Sequence, residues 1–167
     1  ETADRAAKLQ LLERSLVLQV GPAELIEGTR HWLERAATRE TRNSAVRKHP
    51  DLEQAMENLR RAWRAGVTLT SGSGAGRLLV FHGAALHREL QLWVEAGLPP
   101  EVALAATNNA ARVLHASERI GAVREGLDAN LLVVDGNPAQ DISATERISL
   151  VVFKGERVLR GQLFDQE

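Results

Sequence analysis

The residues of this chain that could do chemistry are few, and their spacing narrows them further. There are five histidines, His31, His49, His82, His87 and His115, and no cysteine. Without cysteine, a disulfide framework, a thiolate metal site and a cysteine nucleophile are all excluded. No two histidines form a His-x-His pair. His82 and His87 are five residues apart, about 140° around a helix of about 3.6 residues per turn, so on one helix they would not share a ligand face.

The other conspicuous stretch is Gly72-Ser73-Gly74-Ala75-Gly76, which follows the β-branched run "VTLTS". A glycine-rich turn between a strand and a helix can present backbone N–H groups to an anion. This one is neither Gly-x-Gly-x-x-Gly nor the P-loop pattern with its Lys and Ser/Thr, so a structural turn is the better reading. Ser73 among glycines suggests a nucleophile elbow, but the spacing is not Gly-x-Ser-x-Gly and no Asp/His partner pair is evident. His82 sits in "FHG", where packing or helix entry is the simpler role. His87 and His115 read as surface or helix-end residues, and Asp128, Asp135 and Asp141 as turn residues.

The elements that must position these groups follow from periodicity. Ala6, Leu9, Leu12, Leu16 and Val20 recur at helical spacing from residue 3 to 20, although "SLVLQV" would also suit a short buried strand. Gly21 and Pro22 break the chain, and a helix over 23–37 places Leu25, Ile26, Thr29, Leu33 and Ala36 on one face. Asp51 caps a third helix, "LEQAMENLRRAWRA", with Leu52, Ala55, Met56, Leu59 and Trp63 as its stripe and Gly66 as its stop. A strand, 67–71, then enters the glycine turn.

The helix "AALHRELQLWVEAG" follows, ended by Gly97. Pro99 and Pro100 start another, "EVALAATNNAARVLHASERI", whose small-residue face of Ala103, Ala106 and Ala110 with Val113 predicts close packing. After Gly121 the texture changes to strands. "NLLVVDGNP" predicts a strand and turn, and "ISLVVFKGERVLRG" a hairpin turning at Lys154-Gly155.

Composition bounds the function classes. With 167 residues and 44% hydrophobic content, the chain can bury a core as one domain or one plus an appendage. A formal net charge of −1 with interleaved signs excludes a generally basic nucleic-acid surface. The local excess of Arg and Lys over 35–48 reads as a solvated helix face and loop. Trp32, Trp63 and Trp93 lie on helical segments without a basic groove and read as core or interface anchors. No apolar run is long enough to span a bilayer and the N-terminus has no signal-like core, so no membrane partner and a cytoplasmic location are expected. A start at Glu1 points to trimming, processing or a piece of something longer.

Taken together, "AGVTLTSGSGAGRLLVFHGAALHRELQLWVEAGLPPEVALAATNNAARVL", "RIGAVREGLDANLLVVDGNPAQDI" and "VVFKGERV" resemble the C-terminal portion of the amidohydrolase superfamily, in its imidazolonepropionase-like and dipeptidase-like branch. The resemblance covers residues 59–158. It implies an α/β fold: the last strand-helix units of a (β/α)₈ barrel over 1–119, mostly helical with one or two barrel strands, and a small β-sandwich module over 120–167. It also implies hydrolysis of amide, cyclic amide or dipeptide C–N bonds by a water activated on zinc or another divalent metal.

Two residues depart from the family pattern. The family's catalytic aspartate falls on Gly74, which has no side chain to bind metal or take a proton. A second aspartate falls on Asn130. The family's His-x-His pair would precede most of this chain, so no metal ligand or cofactor is assigned here, and Ser73, Gly74 and His82 are the candidate binding positions. The expectation is a chain inactive alone, completed by a partner carrying the missing barrel or covering its open edges as a homo-oligomer. The alternative is a non-catalytic interaction module derived from the barrel.

Overall fold

The computed structural model describes residues 2–39, 51–76 and 79–159. Six α-helices and one small sheet appear among them: α1 (Thr2–Leu12), α2 (Ser15–Val20), α3 (Ala23–Arg39), α4 (Leu52–Arg64), α5 (Ala84–Glu95), α6 (Pro100–Val113), β1 (Leu131–Val134), β2 (Ile148–Phe153) and β3 (Glu156–Val158). A 3₁₀ helix, Ile142–Glu146, lies between β1 and β2. The chain divides into two compact units, one of Glu1–Asp51 with Ser73–Ala85, the other of Leu52–Gly72 with Leu86–Glu167.

In the first unit the expected single helix over 3–20 is two helices. Arg14 adopts an extended conformation (φ −60°, ψ 132°) between them. "SLVLQV" is helical and buries Leu16 and Val17, which settles the choice left open by its short apolar run. Gly21 ends α2 by donating its N–H to the Val17 carbonyl at 2.8 Å. Its lack of a side chain matters sterically, because a Cβ there would meet that oxygen at 2.8 Å and Ile26 Cδ1 at 2.9 Å. The core joins Leu12, Leu16, Val17, Ile26 and Leu33 to Phe81 and Ala84.

The second unit packs Leu90, Trp93, Ala96, Leu98, Ala103, Ala106 and Ile142 into a core, with Met56, Leu59 and Trp63 of α4 laid against it. Two helices here end as their glycines predict. Val67 and Gly66 donate to the Ala62 and Trp63 carbonyls, and Leu98 and Gly97 to those of Trp93 and Val94, with positive φ at both glycines. These are Schellman caps. The apolar residue after the second, Leu98, is 2% exposed.

Helix α6 is shorter than its sequence predicts. It stops at Val113, and the same pair of bonds, Ala116 to Ala111 and His115 to Arg112, closes it around His115 at φ 55°. Val113 is exposed as a result, while Ala103 and Ala106 are buried. The close approach expected of this small-residue helix is made by Gly121, whose backbone lies against Ala111 and Asn108.

The predicted strand over 67–71 is a further correction: the segment belongs to no sheet among the described residues. A strand exists only through its neighbours, and none is paired with it among the described residues. Its backbone is instead held by α6, where Asn109 Nδ2 donates to the Leu69 carbonyl at 3.0 Å and the Ser71 N–H reaches the Ala106 carbonyl at 3.4 Å.

The predicted strand and hairpin near the C-terminus form an antiparallel sheet in the order β1-β2-β3. Leu131 pairs with Val152, Val133 with Leu150, and Val151 with Val158. The turn is the expected Lys154-Gly155, with φ 51° and 85°, the double-positive signature of a type I′ hairpin. Asn130 closes it from the side, accepting the Lys154 N–H on Oδ1 at 3.0 Å. Replacing the family's aspartate here therefore keeps an acceptor oxygen in place.

Candidate functional site

The site is built around the turn at the end of the 67–71 segment. In the second unit, the Gly72 N–H donates to Glu89 Oε1 of α5 at 3.1 Å. Glu89 is half-buried, and desolvation raises its carboxyl pKa above the ordinary value near 4.5, partly opposed by the Gly72 hydrogen bond. One residue earlier, the Ser71 hydroxyl is buried without a hydrogen-bond partner among the described residues. Sequence reasoning did not single out Glu89. Its signal would have been a carboxylate between Leu86 and Leu90, which recur at helical spacing, a position whose meaning depends on what faces it.

In the first unit, Ser73 Oγ accepts the Ala75 N–H at 3.2 Å. That bond is a local turn of the kind short hydroxyl side chains make. Gly74 has φ 58°, in the left-handed region, and a Cβ built on it would meet no atom within 4 Å. The turn therefore has room for a side chain and presents none.

His82 is exposed and lines a cavity of about 280 Å³ together with Val20, Leu25, Thr29, Gly76 and Phe81. The cavity is mostly apolar. Its buried polar side chain, Thr29, is 4% exposed and already donates its hydroxyl to the Leu25 carbonyl at 2.7 Å. Ser73, Gly74 and His82 thus fall in one unit, with Gly76 and His82 both lining the cavity.

The other histidines go elsewhere. His87 is not a simple surface residue: its Nδ1 lies 3.0 Å from Thr145 Oγ1, in a link from α5 to the 3₁₀ helix. The neighbouring Gln91 extends that link to Glu146 at 2.8 Å. His115 is the left-handed helix-end residue, and His31 is exposed on α3 beside Glu34. His49 lies outside the described residues, as does most of the Arg/Lys-rich stretch. Asp135 and Asp141 serve turns: Arg147 Nε donates to the Asp135 carbonyl, and Asp141 caps the 3₁₀ helix by accepting from Ser143. Its hydrogen bonds with Ser143, side chain first and backbone second, hold the Asp141 pKa below the ordinary value near 3.8.

Among the described residues no three His, Asp or Glu side chains gather where they could hold a metal ion. Gly74 supplies nothing, Ser73 Oγ is committed to the turn, and His82 stands without a carboxylate or imidazole partner in its cavity. The described residues do not fit a catalytic metal. No helix is long and apolar enough to cross a membrane among the described residues.

The profile of the amidohydrolase family matches residues 19–158, which include the turn, α5, α6 and the sheet. Among solved structures, the chain is similar to a Xaa-Pro dipeptidase with methionine bound in its active site, with 29% identity and a TM-score of 0.57. That match covers 64% of this chain and 26% of the dipeptidase. A Bifidobacterium longum protein assigned as a prolidase matches at 36% identity and a TM-score of 0.58, over 63% of this chain and 26% of its own. An amidohydrolase matches in fold at a TM-score of 0.60 and 23% identity, over 78% of this chain and 32% of its own. No curated protein matches. The chain therefore spans about a quarter to a third of the length of these structures. Its helical α/β architecture and small antiparallel sheet are those of one portion of their fold, and the chain belongs to the amidohydrolase family.

Proposed function

We propose that this chain is the C-terminal portion of a metal-dependent amidohydrolase of the dipeptidase-like branch, acting on C–N bonds of dipeptides, amides or cyclic amides. The observation that carries the reading is the family match through the glycine turn and onward to β3, alongside the two dipeptidase and prolidase structures. The metal, zinc or another divalent cation, is held by residues outside this chain, in the region that those structures carry beyond the matched quarter. That region, on the same polypeptide or on a partner chain, is what this reading requires.

The sheet supports the same incompleteness. Its register puts Leu131, Val133, Leu150 and Val152 on one face and Leu132, Val151 and Val158 on the other, and none of them is buried. Leu132 is 58% exposed and Phe153 56%. A sheet apolar on both faces suits the interior of a sandwich whose other strands come from elsewhere.

Gly74 sets the expected limit on activity. A general base worth about 10²- to 10⁴-fold is absent from the position where the family places it. The test is hydrolysis of Xaa-Pro dipeptides and cyclic amides with added zinc, by this chain alone and with the missing barrel region supplied. No turnover alone and slow turnover when completed is the expected result. Robust hydrolysis by the chain alone would sink the reading.

The exposed apolar sheet also favours a second reading, a non-catalytic module that self-associates. Sedimentation separates the two: a monodisperse homodimer that gives no hydrolysis even with the barrel region present supports the module.

A further inference from the structure

We propose that Glu89 is the positioning residue of the glycine-rich turn: its carboxylate grips the Gly72 N–H from α5 and fixes the backbone immediately before Ser73 and Gly74. The proposal deepens the family reading, since it concerns the turn where the catalytic carboxylate is expected, but its test needs no hydrolysis.

Backbone bonds flank the turn without reaching Gly72 itself: the Ser71 N–H meets the Ala106 carbonyl at 3.4 Å on one side, and the Gly76 N–H meets the Val80 carbonyl at 3.2 Å on the other. Gly72, Gly74 and Gly76 stand at alternate positions, and Gly74 and Gly76 adopt φ of 58° and 97°. Glycine loses more conformational freedom on ordering than any other residue, so such a turn needs an anchor to keep one conformation. No strand ladder supplies it, because the 67–71 segment is unpaired among the described residues. The Ser73 to Ala75 bond spans two residues and shapes the turn internally without tying it to anything else. The bond from Gly72 to Glu89 spans 17 residues and reaches a helix whose next residue, Leu90, is 3% exposed and whose Trp93 is in the core.

Half-burial pushes the Glu89 pKa up, and the Gly72 hydrogen bond opposes that rise by favouring the carboxylate form. An ionised acceptor makes the stronger hydrogen bond to a backbone N–H. In a barrel enzyme whose reacting groups sit on strand-end turns, a fixed turn backbone is what positions them.

Amide hydrogen exchange and proton shifts of the ¹⁵N-labelled full chain test this, with Glu89→Gln and Glu89→Ala. In Glu89→Ala the Gly72 amide should exchange about tenfold faster, the scale of one lost hydrogen bond, while Leu90 and Trp93 amides keep their protection. In Glu89→Gln, which retains an acceptor oxygen, Gly72 should recover most of that protection, with its proton shifted upfield from the carboxylate-bound position. Unchanged Gly72 exchange in Glu89→Ala with α5 intact overturns the proposal. If Glu89→Ala also loses α5 protection, the Gln variant decides: an unmoved Gly72 proton shift overturns it. Neither result bears on whether the completed protein hydrolyses a dipeptide.

Discussion

The backbone of Gly121 lies so close to Ala111 that a Cβ built on it would come within 2.5 Å of the Ala111 Cβ and 3.3 Å of the Asn108 carbonyl oxygen. Gly121 also has φ 98°, a conformation that L side chains rarely adopt. Overpacking and backbone strain act together here. Gly121→Ala should destabilise the chain by about 2 kcal/mol or more, read as a lower urea midpoint at unchanged slope.

The three capped helix ends in the second unit offer an internal comparison. Gly66 and Gly97 occupy the left-handed position after α4 and α5, whereas His115 occupies it after α6 with φ 55°. A side chain in that conformation costs about 1–2 kcal/mol, partly offset by the lower unfolded-state freedom of a non-glycine residue. His115→Gly should therefore stabilise by about 0.5–1 kcal/mol and Gly97→Ala destabilise by about 1 kcal/mol. Thermal midpoints that rank the two variants the other way would contradict this account of the cap.

Glu89 and Asp141 pull the acid dependence of stability in opposite directions. The Glu89 pKa is raised in the fold, so the folded state holds its proton more tightly. Stability from this group is greatest below the ordinary value near 4.5 and falls as pH rises through the raised folded value. The Asp141 pKa is lowered, so its contribution is present above the ordinary value near 3.8 and lost as pH falls through the folded value. Denaturation followed across pH should show Glu89→Gln losing the fall above 4.5, and Asp141→Asn losing the fall below 3.8. Their effects should be separable by pH window.

At Gly74 the open space around a built Cβ and the tolerance of aspartate for left-handed backbone make Gly74→Asp compatible with folding. The unfolding midpoint of this variant should change by about 1 kcal/mol or less. Supplied with the missing barrel region and zinc, Gly74→Asp should raise kcat/KM for dipeptide hydrolysis by about 10²-fold or more over the Gly74 protein. No gain in the completed and metal-loaded protein would show that the turn does not stand where the family's carboxylate works.

How far the sequence carried the reading depends on how local each signal was. The stops at Gly66 and Gly97 and the Lys154-Gly155 hairpin were legible because each rests on a residue that tolerates positive φ within a few positions of the bonds it permits. The family was legible for a similar reason, since its motifs are runs of adjacent residues. The end of α6 was not, because His115 gives no glycine-like signal and the helical periodicity continues past it. Neither was the break at Glu13 and Arg14, where no proline or glycine marks the join.

The candidate site divides along the same line. The sequence alone determined that a glycine stands at position 74, where the resemblance implies an aspartate, because residue identity at one position needs no fold to be read. Only the tertiary structure decided that Gly72 is held by Glu89, that Ser73 is committed to its own turn, and that His87 is tied to Thr145. It also decided that the β-branched run 67–71 pairs with no strand among the described residues, Leu69 being bound instead by Asn109. Strand identity and carboxylate environment are both properties of what lies across space, and residues 17 to 58 positions apart meet only when the chain has folded.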